Sequence, residues 1–224
     1  MTATQSKPFN SSRDGRFSVV QSEPWMALQL EAIQRASFPD LALEELALEK
    51  HYLAQMQAFP EGQHAILEVE TGRVVGSSSD LRVNLNLSHY QHKFLEAVGN
   101  NFFTTHVADG EWLYGADIGV MPEFRGLGLA SLLYARRQAF ERELDLRGHV
   151  AGAMPKGYGA MKDKVPIEEY VNDVIALDSS DPVLSVQLRR GYRVFGIIPD
   201  YLDDSSTANY GVLIIWRNPD RSWL

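Results

Sequence analysis

The segment Val120-Met121-Pro122-Glu123-Phe124-Arg125-Gly126-Leu127-Gly128-Leu129-Ala130 decides how this chain is read. Ahead of it, Trp112 to Val120 (WLYGADIGV) is an apolar strand-like run, and after it Leu132, Leu133, Ala135, Ala139 and Phe140 recur at helical spacing. The order is strand, glycine turn, long helix. A glycine-rich turn at a helix N-terminus presents backbone N–H groups that lack intrahelical acceptors, together with the positive end of the helix dipole. That is the environment a phosphate or pyrophosphate binds. Gly126 and Gly128 let the main chain approach an anion with no Cβ in the way, Ala130 is the next smallest choice, and Arg125 adds positive charge. The bland alternative is a turn that joins strand to helix and binds nothing.

Two familiar phosphate loops do not fit. A Walker loop needs Gly-Lys-Ser/Thr after four intervening residues, and no such lysine follows Gly126. The dinucleotide fingerprint needs a third glycine where Ser131 stands, and no acidic residue closes a following strand.

Working outward, Phe17 to Gln21 reads as a strand and Pro24 to Phe38 as a helix, followed by a second helix over Leu41 to Met56 closed by Pro60-Glu61-Gly62. His64 to Glu70, a Thr71-Gly72 turn and Arg73 to Gly76 make a hairpin. Residues 84–110 read as an insertion. Beyond the long helix, Gly148 to Ala153 is a strand, 157–180 a second insertion with a helix over Ile167 to Ala176, and Pro182 to Arg190 a helix. The strands Tyr192 to Ile198 and Tyr210 to Trp216 close the chain, joined by the acidic turn Asp200 to Ser206. Residues 1–15 are polar, without an apolar core of the kind a signal peptide carries, and read as a flexible tail; 16–224 read as a single domain.

Composition narrows the function classes. The 224 residues are 45% hydrophobic and 22% charged, enough apolar content for a sizeable core and no run long enough to span a membrane. A net charge of −8 disfavours nucleic acid and anionic membrane surfaces, and mildly favours a cationic partner such as a polyamine or aminoglycoside. No cysteine is present, so disulfides, thiolate metal sites and cysteine nucleophiles are excluded, and a cytoplasmic setting is expected.

The central segment resembles the coenzyme A loop of the GNAT acyltransferases, Arg/Gln-x-x-Gly-x-Gly/Ala preceded by Val-x-Pro: here Val120-x-Pro122, then Arg125-x-x-Gly128-x-Ala130. The element order over residues 17–217 is also the family's. Phe59 to Gln63, Gly110 to Ile118, Asp181 to Leu188 and Trp216 to Pro219 are similar to the acetyltransferase module fused to carbon-nitrogen (nitrilase-like) hydrolases, whose catalytic cysteine has no counterpart here.

The resemblance implies an α/β GNAT fold, a mixed central sheet flanked by helices and splayed between the strands near 112–120 and 148–153. It implies acetyl-CoA as acyl donor, no metal, and direct attack by an amine acceptor, a small molecule or a peptide. A homodimer is possible. The backbone of Ile118 and Val120 and the turn residues Arg125, Gly126, Leu127, Gly128, Leu129 and Ala130 would hold the coenzyme.

The proton carriers depart from the pattern. Tyr114 stands where many relatives place a basic Glu or His, and Gln187 where they often place an acidic Tyr. Asp117 is the candidate base, with Glu111 the other nearby carboxylate; strict alternation turns Asp117 away from Tyr114, so it reaches the thioester only if the strand bulges, for which Gly119 gives freedom. A structural hydrogen-bonding role for Asp117 is the equal alternative. Tyr114 is the candidate acid or a core aromatic. The substitutions also leave open a coenzyme A-binding or sensing protein without catalysis. His89 and His92 could share a helix face as metal ligands but read better as solvated side chains. The 200–206 turn reads as solvated, and Tyr158 and Tyr170 could roof the acceptor pocket or pack.

Overall fold

The computed structural model describes residues 7–221. Its strands are β1 (Asn10–Ser11), β2 (Phe17–Gln21), β3 (Gln63–Glu68), β4 (Val74–Val83), β5 (Trp112–Val120), β6 (Gly148–Ala153), β7 (Arg193–Ile198) and β8 (Gly211–Arg217). The helices are α1 (Ala27–Ser37), α2 (Glu49–Ala58), α3 (Phe94–Ala97), α4 (Leu129–Glu143), α5 (Ile167–Ala176) and α6 (Leu184–Arg189). The strands form one mixed sheet in the order β1-β2-β3-β4-β5-β6-β8-β7, with helices on both faces.

Alternation along the strands separates the two layers. Val19 packs with Ile66, Val75, Leu129 and Leu133 against α4, while its neighbour Val20 packs with Leu30, Ile33 and Tyr52 against α1 and α2. The strands from β1 to β5 are antiparallel, and β6, β8 and β7 form a second antiparallel set. Among the described residues only β5 and β6 run parallel, and they pair for three residues, Trp112 with Gly148, Leu113 with His149 and Tyr114 with Val150. Beyond Tyr114 the sheet is open, which is the splay the family resemblance implies.

Three segments differ from the sequence reading. Part of the expected tail is structured: Asn10–Ser11 pairs with β2, and the Asn10 amide donates to the Leu132 carbonyl of α4 at 3.1 Å. Residues 1–6 lie outside the described residues. The second helix begins at Glu49 rather than Leu41, because 41–48 is held to the 200–206 turn: the Ala42 N–H donates to the Asp203 carbonyl, and the Asp203 N–H to Glu45. That turn is solvated only in part, with Asp200, Asp203 and Ser205 exposed and Tyr201, Leu202 and Asp204 buried. Asp204 is fully buried and accepts from Ser206 N and from Lys156 Nζ at 3.1 Å.

Candidate functional site

The opening of the sheet has a local cause in β5. Ser79 of β4 faces Asp117 and Asp80 faces Gly115, so Ala116 is an extra residue without a partner. A bulge of this kind shifts the alternation by one and increases strand twist. Gly115 accordingly faces α4, where a Cβ would overlap the His149 ring, whereas Asp117 and Gly119 face α1 and α2. Tyr114 and Asp117 therefore share a face. The bulge the sequence required is present, centred on Ala116 rather than on Gly119.

A cleft of about 430 Å³ lies along the opened edge. From β5 it is lined by Ile118, Gly119 and Val120, from α4 by Ala130 and Tyr134, and opposite them by Pro182, Val183 and Val186 at the start of α6. It runs toward the glycine turn. Gly126 and Gly128 adopt φ of +80° and +77°, and a Cβ on either would meet no protein atom within 4 Å, so their conformation is left-handed and their outer side is open. Gly128 is the residue immediately before α4, whose first amides have no intrahelical acceptor. Leu129 sends its side chain into the core, whereas Leu127 is half exposed and neither residue lines the cleft. Arg125 lines the cleft but is tethered, donating through Nε to the Val120 carbonyl at 3.2 Å and through Nη2 to the Ala36 carbonyl at 3.3 Å. An open strand edge leading to a left-handed glycine turn has the shape and donors to hold a pantetheine arm and its pyrophosphate.

Two polar groups at the cleft were not singled out by the sequence reading. Tyr134 is buried in the cleft wall, and burial pushes its phenol above the ordinary value despite the opposing influence of Arg137 and Gln187. A tyrosine from α4 thus comes to the neighbourhood of Gln187 on α6. Lys156 also lines the cleft, paired with Asp204. Nothing in their local sequence marks them, because the position depends on how α4, α6 and the loop after β6 meet.

On the α1 face of the opening is a second, small cavity lined by Phe38, Leu41, Phe94, Ala116, Met154 and Tyr201. Phe38 lines both cavities. Asp117 lines neither. Its Oδ2 accepts from the Tyr52 hydroxyl at 2.8 Å, and the Gln34 amide, turned with its nitrogen toward Asp117, donates to both carboxylate oxygens at 3.0 and 3.1 Å. Gln34 is the residue of this group that lines the small cavity. Burial raises the Asp117 pKa to about 6 against the opposing pull of the Tyr52 hydrogen bond and Arg137.

Tyr114 is buried with its hydroxyl 2.8 Å from the Tyr201 hydroxyl and 2.8 Å from His92 Nε2, and His92 Nδ1 lies 2.7 Å from the Tyr90 carbonyl. Both nitrogens of His92 are thus engaged within the protein. The insertion around α3 delivers this imidazole to β5, with Phe94, Val98 and Phe103 seated in the same core as Tyr114 and Tyr201. Tyr158 and Tyr170 pack in the core on the other side of the cleft, where Tyr170 donates to Asp181 at 2.9 Å. Among the described residues no group of three or more His, Cys, Asp or Glu could hold a metal ion, and no helix is long and apolar enough to cross a membrane.

An α/β protein whose mixed sheet opens beside a glycine-cradled helix N-terminus is the class these features define. No protein-family model matches the sequence. YkwB of Bacillus subtilis (strain 168), an uncharacterized N-acetyltransferase, is 31% identical over 191 residues, which cover 85% of this chain and 84% of YkwB. The chain belongs to the GNAT superfamily of N-acetyltransferases. The probable hydrolase YhcX of the same organism is 31% identical over 189 residues, 84% of this chain, and this match spans 36% of YhcX. Among solved structures, the GphF GNAT-like decarboxylase in complex with isobutyryl-CoA superposes with a TM-score of 0.74 at 22% identity, covering 89% of this chain and 98% of that one, a likeness of fold.

Proposed function

We propose that this protein transfers the acetyl group of acetyl-CoA directly to the nitrogen of an amine acceptor. The observation that carries the reading is the unpaired edge of β5 beyond Tyr114, ending at the left-handed Gly126-Leu127-Gly128 turn before α4. On this reading the backbone of Ile118 and Val120 binds the pantetheine arm as an added strand and polarises the thioester carbonyl. The amides of 126–130 and the α4 dipole hold the pyrophosphate. Arg125 serves chiefly to fix the turn to β5 and α1. The acceptor enters from the small cavity beside Phe38. Tyr134, in the cleft wall, donates the proton that the departing thiolate needs, a role for which the sequence offered Tyr114 as a candidate, and Asp117 orients Gln34 and Tyr52 beneath the cavity.

The test is a thermal shift followed by turnover. Coenzyme A raises the Tm by mass action while ATP and NAD at equal concentration do not. A panel of amines with acetyl-CoA, read as free thiol, then identifies the acceptor. A rise with NAD alone removes the coenzyme A assignment, and binding without thiol release from any amine leaves a coenzyme A sensor.

A further inference from the structure

Resting on the acyl-transfer reading, we propose that Tyr201, Tyr114 and His92 form a one-way proton relay, which carries the acceptor's proton from the small cavity to an imidazole supplied by the 84–110 insertion. Tyr201 lines the small cavity, Tyr114 lies behind it, and His92 behind that, with successive polar atoms 2.8 and 2.8 Å apart. The direction follows from the last contact. A backbone carbonyl only accepts, so the Tyr90 carbonyl at 2.7 Å fixes the hydrogen of neutral His92 on Nδ1. Nε2 then offers a lone pair, Tyr114 must donate to it, and the Tyr114 oxygen is left to accept from Tyr201. Every hydroxyl of the chain points its hydrogen away from the cavity. The Tyr201 oxygen, giving its hydrogen to Tyr114, keeps a lone pair for a donor inside the cavity.

The geometry is held on all sides. The His92 ring meets the Tyr114 and Tyr201 rings edge to face at 5.5 and 5.6 Å, and Phe94 meets Tyr201 at 5.9 Å. Gly152 has no Cβ because one would overlap the Tyr201 ring and hydroxyl. The titratable groups facing His92 are Tyr114 from β5, Tyr201 from the segment after β7, and Glu96 from its own segment. Glu45, ahead of α2, acts on Tyr201. Burial pushes both phenols above their ordinary range, so they pass protons without holding charge, and burial lowers His92, which keeps it neutral and able to accept at neutral pH.

In the reaction the amine nitrogen bonds to the acyl carbon as the carbon–sulfur bond breaks and the thiolate leaves. The proton shed by nitrogen passes to Tyr201 as Tyr201 gives its own to Tyr114 and Tyr114 gives its own to His92. Two neutral phenols and one imidazolium result. The partly exposed His92 then releases its Nδ1 proton to solvent as the contact with the Tyr90 carbonyl opens, and the Nε2–H tautomer left behind reverts to Nδ1–H, with the hydroxyls turning back, before the next turnover. Tyr201 is the member that meets the acceptor; Tyr114 and His92 act through it.

Two measurements test this. Long-range ¹⁵N–¹H spectra of histidine-labelled protein should show His92 protonated at Nδ1; the Nε2–H tautomer overturns the direction and with it the relay. With acetyl-CoA and an amine that supports thiol release, His92→Gln, Tyr114→Phe and Tyr201→Phe should each lower kcat by roughly 10- to 100-fold. The affinity for coenzyme A by calorimetry should change less than about twofold, since none of the three lines the larger cleft. His92→Gln should also remove the acid limb of the kcat–pH profile. His92→Gln combined with Tyr114→Phe should be no slower than either alone, because a chain broken once carries nothing. A retained acid limb or multiplying losses overturn the proposal. If wild-type protein binds coenzyme A and acetylates no amine, the transferase reading fails, and the tautomer alone still decides whether the chain runs toward His92.

Discussion

Arg137 in α4 and Asp80 in β4 form a buried ion pair at 2.9 Å, and the same guanidinium donates to the carbonyls of Ser79 and Asp117, the paired residues that flank the bulge. His149 of β6 meets the other side of Asp80 at 3.0 Å. One side chain from the helix that begins at the glycine turn therefore ties together the strands around the opening. A helix displaced along its axis would lose all three contacts, so the cradle and the open edge are positioned by the same group.

Removing that group should be costly. Arg137→Met leaves the Asp80 carboxylate buried with His149 alone, and losing one partner of a buried pair costs about 3–5 kcal/mol. For a chain of this size the Tm should fall by roughly 10 °C. Adding Asp80→Asn, which removes the orphaned charge, should restore part of the loss in thermal denaturation. A double variant less stable than Arg137→Met would contradict the pairing.

Gly128→Val tests the cradle. The space outside Gly128 holds no protein atom, so the only cost within the protein is a β-branched residue at φ +77°, about 1–3 kcal/mol and a Tm lower by a few degrees. Coenzyme A affinity, by contrast, should drop by more than tenfold in calorimetry, since a branched side chain would stand where the pyrophosphate approaches the amides. Unchanged affinity in the folded variant removes the cradle from the site.

Tyr134→Phe keeps the cleft wall and removes its hydroxyl. If this phenol protonates the leaving thiolate, kcat should fall on the order of 10²-fold with little change in coenzyme A affinity. Equal turnover at all pH values would assign that proton to solvent.

Asp117 has a signature in stability. Its folded pKa, about 6, lies above the ordinary 3.8, so between these values the native state binds more protons than the unfolded chain and stability declines as pH rises. Asp117→Asn has nothing to deprotonate. Relative to wild type, its unfolding free energy should rise by up to about 3 kcal/mol from roughly pH 4 to pH 7. A pH-independent difference in chemical denaturation would show that the carboxylate is not buried as described.

The segment from Trp112 to Phe140 was legible because its signals are local: an apolar strand, glycines where φ is positive, and a helical repeat. Ile118, Val120, Arg125 and Ala130 of that segment line the cleft. The region 41–48 was misread as helix because its leucines have helical spacing, yet their fate was set by backbone bonds to Asp203. His92 looked like a polar histidine in an insertion for the same reason. Its partner Tyr114 is 22 residues away, and Tyr201 is 87 residues beyond Tyr114.

The residues alone carried most of the order of strands and helices, the glycine turn at 125–130 and the family resemblance it bears, all encoded within a few turns of chain. Tertiary packing set where the β5 bulge falls, and hence that Asp117 turns toward Tyr52 on the Tyr114 side. It also decided which hydroxyls and which imidazole meet at the opening. A bulge is fixed by the register between two strands, and a hydrogen-bonded chain by the packing of segments remote in sequence, and neither leaves a periodic mark on the residues that take part.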